Sequence, residues 1–315
     1  MEEILELLSA NVRGIVERYP PQMLEKIEEI RLRLHRPLEI IIRGKPDFPF
    51  LHSTMYIVTA DDTTQLLNRI SQYSIYTLEE ELKRGYITIQ GGHRVGLAGK
   101  VITEKGEVKA IRDVTFFNIR VARQCIGIAK PYLPLLTNEA GEWENTILIG
   151  PPQSGKTTLL RDLARLVSVG IQEQNIPSYK VGIVDERSEI AGCVKGVPQH
   201  DLGWRADILD SCPKAEGMMM LIRSMSPDVI VVDEIGSKAD SEAIMEAVNA
   251  GVKLIVTAHG NDWPDLLKRP SLKPLLDLHI FSRFVILSKA DGPGTCHKIV
   301  DSTGCEISLE KGVLT

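Results

Sequence analysis

At 315 residues the chain has room for two domains. Its 43% hydrophobic and 25% charged residues exclude wholesale disorder, and a net charge of −5 supplies no broad basic footprint for nucleic acid. Five widely spaced cysteines (Cys125, Cys193, Cys212, Cys296, Cys305) contain no CxxC pair, which excludes a disulfide frame or zinc site and points to reduced thiols in a cytoplasm.

The chain opens on an acidic amphipathic stretch with Ile4, Leu7, Leu8, Val12, Ile15 and Val16 at helical spacing over residues 3–18. It has neither the basic start nor the unbroken apolar centre of a signal peptide. No apolar run approaches the roughly 18 residues a membrane span needs. We therefore expect no direct membrane insertion, and membrane association only through partners. Glu28–Ile42 reads as two short strands, with Ile30, Leu32 and Leu34 alternating with Arg31 and Arg33. Thr63–Tyr73 is a helix with Asp61 or Asp62 as its cap, and Glu79–Lys83 extends a third. Tyr86–Gln90 and Val95–Ile102 form a hairpin around Gly91-Gly92, and Phe116–Ala122 is a further strand. Residues 1–130 are thus expected to form a smaller N-terminal α+β domain.

Pro131, Pro134 and the polar run Thr137–Asn145 mark residues 131–145 as a linker. From residue 146 the pattern changes. Short apolar runs at Thr146–Ile149, Val181–Asp185, Val229–Asp233, Leu254–Ala258 and Phe284–Leu287 alternate with helices. Such runs fit strands of a mainly parallel sheet buried on both faces, so residues 146–315 are expected to be an α/β domain.

The first of these strands leads into Gly150-Pro151-Pro152-Gln153-Ser154-Gly155-Lys156-Thr157, which fits GxxxxGK[ST], and a helix follows from Thr158. Gly150 and Gly155 let the backbone curl so that successive N–H groups face an anion. The helix adds its positive end. Lys156 supplies a cation for the β- and γ-phosphates of ATP, and the Thr157 hydroxyl a ligand for Mg²⁺.

Hydrolysis also needs a metal clamp and a positioned water. Val229–Val232 leads to Asp233 and Glu234 at the strand's C-terminal end, where open parallel sheets bind ligands. Asp233 is the expected magnesium ligand and Glu234 the group that orients or deprotonates water. Asp185 and Glu186 end a second strand, with Asp185 a further candidate at the metal and Glu186 at the water. Arg187 and Glu189 could pair to fix that loop. His259 ends a third strand, where it could meet the γ-phosphate. The segments ending at residues 149 and 232 are expected to lie side by side.

Ser226–Ala243 with Ala247–Val252 and Thr257-Ala-His-Gly-Asn261 resembles the hexameric ATPases of type II and type IV secretion and type IV pili, in their Walker B strand, following helix and His box. Asp185-Glu186 matches the place of their acidic box. Within that superfamily the chain is similar to a sporulation-stage family of endospore-forming bacteria. The resemblance runs through Glu28–Leu34, Arg84–Gly99, Asp185–Gly192, Asp201–Asp210 and Gly217–Pro227, nearly the whole chain. It implies a RecA-like P-loop core following an N-terminal domain, a homo-oligomeric ring, hexameric in the superfamily's manner, and ATP hydrolysis with Mg²⁺. It further implies docking on membrane channel subunits at the mother-cell side of the forespore membranes. Secretion ATPases often carry glycine before the Walker B glutamate. Asp233 stands there instead, which leaves open whether Glu186 or Glu234 activates the water. In the superfamily, arginines of the first domain reach the phosphates, and Arg94, Arg120 and Arg123 are the candidates here. Two other readings remain: a nucleic-acid-associated RecA-like ATPase, against which the acidic composition speaks, and a nucleotide-gated scaffold with little turnover.

Overall fold

A computed structural model describes residues 1–71, 82, 85–104, 106–288 and 294–308. The helix expected over Glu79–Lys83 lies outside these, Leu82 excepted. The chain divides into two compact units, Met1–Arg123 and Gln124–Thr315.

In the first unit, strands β1 (Ile27–Arg33), β2 (Glu39–Ile42), β3 (Lys45–Asp47), β6 (Tyr86–Thr88), β7 (Arg94–Glu104) and β8 (Glu107–Arg120) make one antiparallel sheet, ordered β3-β2-β1-β8-β7-β6. A small separate hairpin pairs β4 (Phe50–Leu51) with β5 (Thr54–Met55). Alternation puts Ile30 and Leu32 of β1 and Phe117 and Ile119 of β8 into a core with Ile4, Leu8, Val12 and Leu66 from the helices. The single N-terminal helix expected over residues 3–18 is two, Glu2–Leu7 and Ala10–Val16. Ser9 breaks it. Its hydroxyl accepts from the Val12 N–H and donates to the buried Asp62, so it caps the second helix instead of continuing the first. The helix Ala60–Ile70 is capped by Thr59, with Asp62 completing a capping box, so the cap sits two to three residues earlier than expected.

The second unit holds a seven-stranded sheet. It contains β9 (Thr146–Gly150), β10 (Val181–Asp185), β11 (Ala206–Asp210), β12 (Val229–Val232), β13 (Lys253–His259), β14 (Arg283–Leu287) and β15 (Cys296–Val300), ordered β11-β10-β12-β13-β9-β14-β15. All pairs are parallel except β14–β15. Every residue of β9, β10 and β12 is buried, as two covered faces require. Leu159, Leu160 and Leu163 of helix Lys156–Val169 pack on one face with Ile183 and Val231. Ile244 and Ala247 of helix Lys238–Asn249 pack on the other with Ile230 and Val232. Residues 131–145, expected as a linker, differ from that reading. Leu133, Leu136 and Trp143 are each no more than 1% exposed in the first of these clusters. The prolines there start short helices at Lys130–Tyr132 and Leu133–Leu136.

Candidate nucleotide site

Because the strands run parallel, their C-terminal ends share one edge of the second unit's sheet. Gly150, Asp185, Val232 and His259 end β9, β10, β12 and β13. The strands ending at residues 149 and 232 are not neighbours: β13 lies between them, and His259 stands in register with Gly150. The gap is bridged from the helix, where the Thr157 hydroxyl donates to Asp233 Oδ2 at 2.7 Å.

The loop before that helix is tightly curled. A Cβ on Gly150 would lie 2.3 Å from Ser154 Oγ and 3.2 Å from Leu287 Cβ, so a larger residue would have to displace the Ser154 side chain. Gly155 caps the helix at φ +87°, a left-handed conformation glycine adopts without strain, and Gln153 sits at φ +63°. The N-cap of the 14-residue helix Lys156–Val169 is Gly155, which has no side chain to cap it, and the first turn of a helix carries a positive end that suits an anion. Lys156 is 6% exposed, and its ammonium donates to the carbonyls of Gly150 (2.9 Å) and Pro151 (3.1 Å). The Ser154 hydroxyl is buried without a hydrogen-bond partner. On the loop's far side the Gly294 N–H donates to the Ser154 carbonyl at 2.7 Å, fastening the segment before β15 to it. Pro151, Pro152 and Thr158 complete the run between strand and helix.

Asp233 accepts from two hydroxyls, Thr157 and the fully buried Thr257. Burial pushes its carboxyl above the ordinary range. The two hydroxyls oppose this, and the charges of Glu234 and Glu189 add to it. Thr257 Oγ1 also accepts the Glu234 N–H at 2.8 Å. Glu234 has φ +54°, uncommon for a residue with a side chain. Its carboxylate meets Arg187 Nη1 at 2.9 Å across a cleft lined by Asp185, Glu186, Arg187, Glu189, Lys214, Asp233 and Glu234.

Asp185 differs from its expected place at a metal. It is 1% exposed, and its oxygens accept the N–H groups of Glu189 (2.8 Å), Ile190 (3.0 Å) and Ala191 (2.8 Å), so it caps its own loop. Burial raises its pKa, against the pull of those N–H groups. Glu186 pairs with Lys214. Arg161 carried no expectation. It lies 8% exposed on helix Lys156–Val169, where it donates to the carbonyls of Ile190 (2.7 Å) and Glu189 (2.6 Å). Burial lowers its pKa, and the charges of Asp185 and Asp233 oppose that. The available signal was its position: Leu160, Arg161, Ala164 and Ser168 follow helical spacing on a buried face.

The three candidate arginines belong to the first unit. Arg94 and Arg120 are cross-strand partners on β7 and β8. The Arg94 guanidinium lies 4.6 Å from the Tyr86 ring centre, and Arg120 is 3.9 Å from Glu29. Arg123 donates to the Ile27 carbonyl at 2.6 Å.

Three comparisons bear on the whole chain. The family model described as "Sporulation stage III, protein AA" matches residues 1–307. Stage III sporulation protein AA of Bacillus subtilis (strain 168) is 55% identical over 315 residues, covering 100% of both chains. Among solved structures, the pilus retraction motor PilT with bound ADP is similar at TM-score 0.54 and 18% identity, over 84% of this chain and 75% of that one. The ATPase DotB of Legionella pneumophila gives 0.52 and 17%, over 84% and 74%. These likenesses show the secretion ATPase fold: an antiparallel N-terminal sheet followed in the chain by a parallel-rich α/β one. With nearly every residue matched to the family model and a full-length relative at 55% identity, the chain is a member of the sporulation stage III, protein AA family, built on the fold of the secretion ATPases.

Proposed function

We propose that the chain is a P-loop ATPase that hydrolyses ATP with Mg²⁺ and drives assembly of, or transport through, a secretion-like channel between mother cell and forespore. The observation that carries the chemistry is the 2.7 Å contact between Thr157 and Asp233, which joins the glycine-rich loop to the acidic strand end. A hydroxyl beside one carboxylate suits magnesium, which keeps several waters and takes its remaining ligands from phosphate. Among the described residues no group of three or more His, Cys, Asp or Glu forms a metal cage of its own. Magnesium would neutralise charge on the phosphates. The backbone of Gly150–Thr158 and Lys156 would hold them, and Glu234 would orient or deprotonate the attacking water. Glu234 is favoured over Glu186 because it adjoins Asp233 on a backbone held by Thr257. His259, at the strand end beside Gly150, would report the state of the γ-phosphate.

The sporulation role rests on the family, and the motor role on the fold shared with a pilus retraction motor. The chain would act as a homo-oligomeric ring, a hexamer, on the cytoplasmic mother-cell side, docked on membrane channel subunits and without nucleic acid. No helix among the described residues is long and apolar enough to cross a membrane, which supports docking through partners. Arg94, Arg120 or Arg123 would supply the transition-state arginine.

The test is nucleotide binding and phosphate release by two variants. Lys156→Ala is expected to lose both. Glu234→Gln is expected to bind ATP as the parent does but lose turnover by about 10²-fold or more, the usual scale of a general base. Phosphate release at the parent rate by Glu234→Gln would remove Glu234 from the chemistry. ATP binding retained by Lys156→Ala would remove the loop.

A further inference from the structure

We propose that Arg187 is a positioning residue for Glu234: mounted on a clamped loop, it holds the carboxylate in place for the water. This rests on the reading of Glu234 as the water-activating group.

The mount is fixed from both sides. Asp185 takes the N–H groups of Glu189, Ile190 and Ala191, while Arg161 takes the carbonyls of Glu189 and Ile190. Both side chains are at least nine-tenths buried. Between them Ser188 sits at φ +53°, and its hydroxyl donates to Asp210 on the neighbouring strand. The path of residues 185–191 is therefore set by Arg161 of the helix, Asp185 of β10 and Asp210 of β11, and Arg187 is mounted on a loop held at several points.

What it meets is also held. Glu234 adopts φ +54°, its N–H is bound to Thr257, and its carboxylate is 2.9 Å from Arg187. Uncommon backbone conformations of this kind persist where surrounding contacts enforce them, and they concentrate at functional sites. The cleft gathers five carboxylates, Asp185, Glu186, Glu189, Asp233 and Glu234, against two cations, Arg187 and Lys214. Lys214 is paired with Glu186, and Asp185 with backbone N–H groups. Without Arg187, Glu234 would face its acidic neighbours and be driven outward. The pair is solvent-exposed at 63% and 43%, and exposed ion pairs contribute little to folding. Its value lies in where it puts the carboxylate.

The test compares the full-length parent, Arg187→Ala and Arg187→Lys by steady-state ATP turnover, ATP binding and thermal unfolding. Arg187→Ala is expected to lose about tenfold in kcat, the scale of a misplaced reacting group. Its KM and ATP affinity should stay within about twofold and its Tm within about 2 °C, as removal of an exposed pair implies. Arg187→Lys should recover most of the rate, because an ammonium can hold one carboxylate oxygen. A kcat for Arg187→Ala within twofold of the parent overturns the proposal. So does weakened ATP binding, which would put the guanidinium on the nucleotide, a lowered Tm, or a lysine variant as slow as the alanine one. A parent chain without turnover would instead overturn the ATPase reading and this inference with it.

Discussion

Thr257 shows how much one hydroxyl carries at this site. Its single proton goes to Asp233 and its oxygen receives the Glu234 N–H, so one buried atom joins both acids. Valine keeps the shape and removes both bonds. Thr257→Val is therefore expected to cost about 1–3 kcal/mol, the range for leaving a buried polar group unmade. It should also slow turnover, with chemical denaturation and phosphate release as the two measurements. The run Gly150–Thr157 was legible in the sequence because two of its tightest positions are glycines, whose places a sequence displays, although Gln153 takes a left-handed φ that residue order did not announce. Asp233 and Glu234 were legible as the end of an apolar strand. Thr257 was visible only as a member of the Thr-Ala-His-Gly-Asn run. Nothing in residue order says that its side chain spans two strand ends, since β12 and β13 become neighbours only in the folded sheet.

At the scale of elements, the loop between β10 and residue 191 departs furthest from expectation. Asp185 was read as a metal ligand because an acid ending a parallel strand suits one. In the structure its charge is consumed by backbone N–H groups, and Arg161 consumes the matching carbonyls. Backbone donors and acceptors are the same at every position, so a sequence cannot display which of them a fold leaves orphaned. The Arg187–Glu234 pair has the same origin, because it joins the ends of β10 and β12, which residue order does not set side by side. Arg161→Leu tests the clamp. Two carbonyls lose their charged donors, and stability should fall by about 2–6 kcal/mol, summed from the usual cost of each. Hydrogen exchange at Ile190 and Ala191 should quicken ahead of that at β12. Unchanged protection at those amides would mean that Asp185 alone holds the loop.

Across the whole molecule the sequence displayed its division most clearly through strand type. Half-buried alternation before residue 123 became an antiparallel sheet, and unbroken apolar runs after residue 145 became a parallel one. The stretch between was misjudged on composition. Its prolines and polar residues read as a tether, but prolines also open helices, and Leu133, Leu136 and Trp143 were outnumbered in the count while remaining decisive in packing. β11 was missed because Ala206–Asp210 has an acid at each end of its core, as suits a half-buried outer strand. If the protein works as a ring, specific activity should rise with protein concentration in step with mass in solution. Mixing chains lacking Arg94, Arg120 or Arg123 with Lys156→Ala chains should then restore part of the rate if the arginine acts between copies. Failure to recover at any ratio would keep the arginine within one copy.

The bond from Gly294 to the Ser154 carbonyl gives the outer margin of the second unit a role beyond finishing the sheet. A displacement of that carbonyl would have to be met by the chain entering β15, two strands away from the loop's own strand. A spectroscopic label on β15 would therefore be expected to follow events at the glycines without touching them.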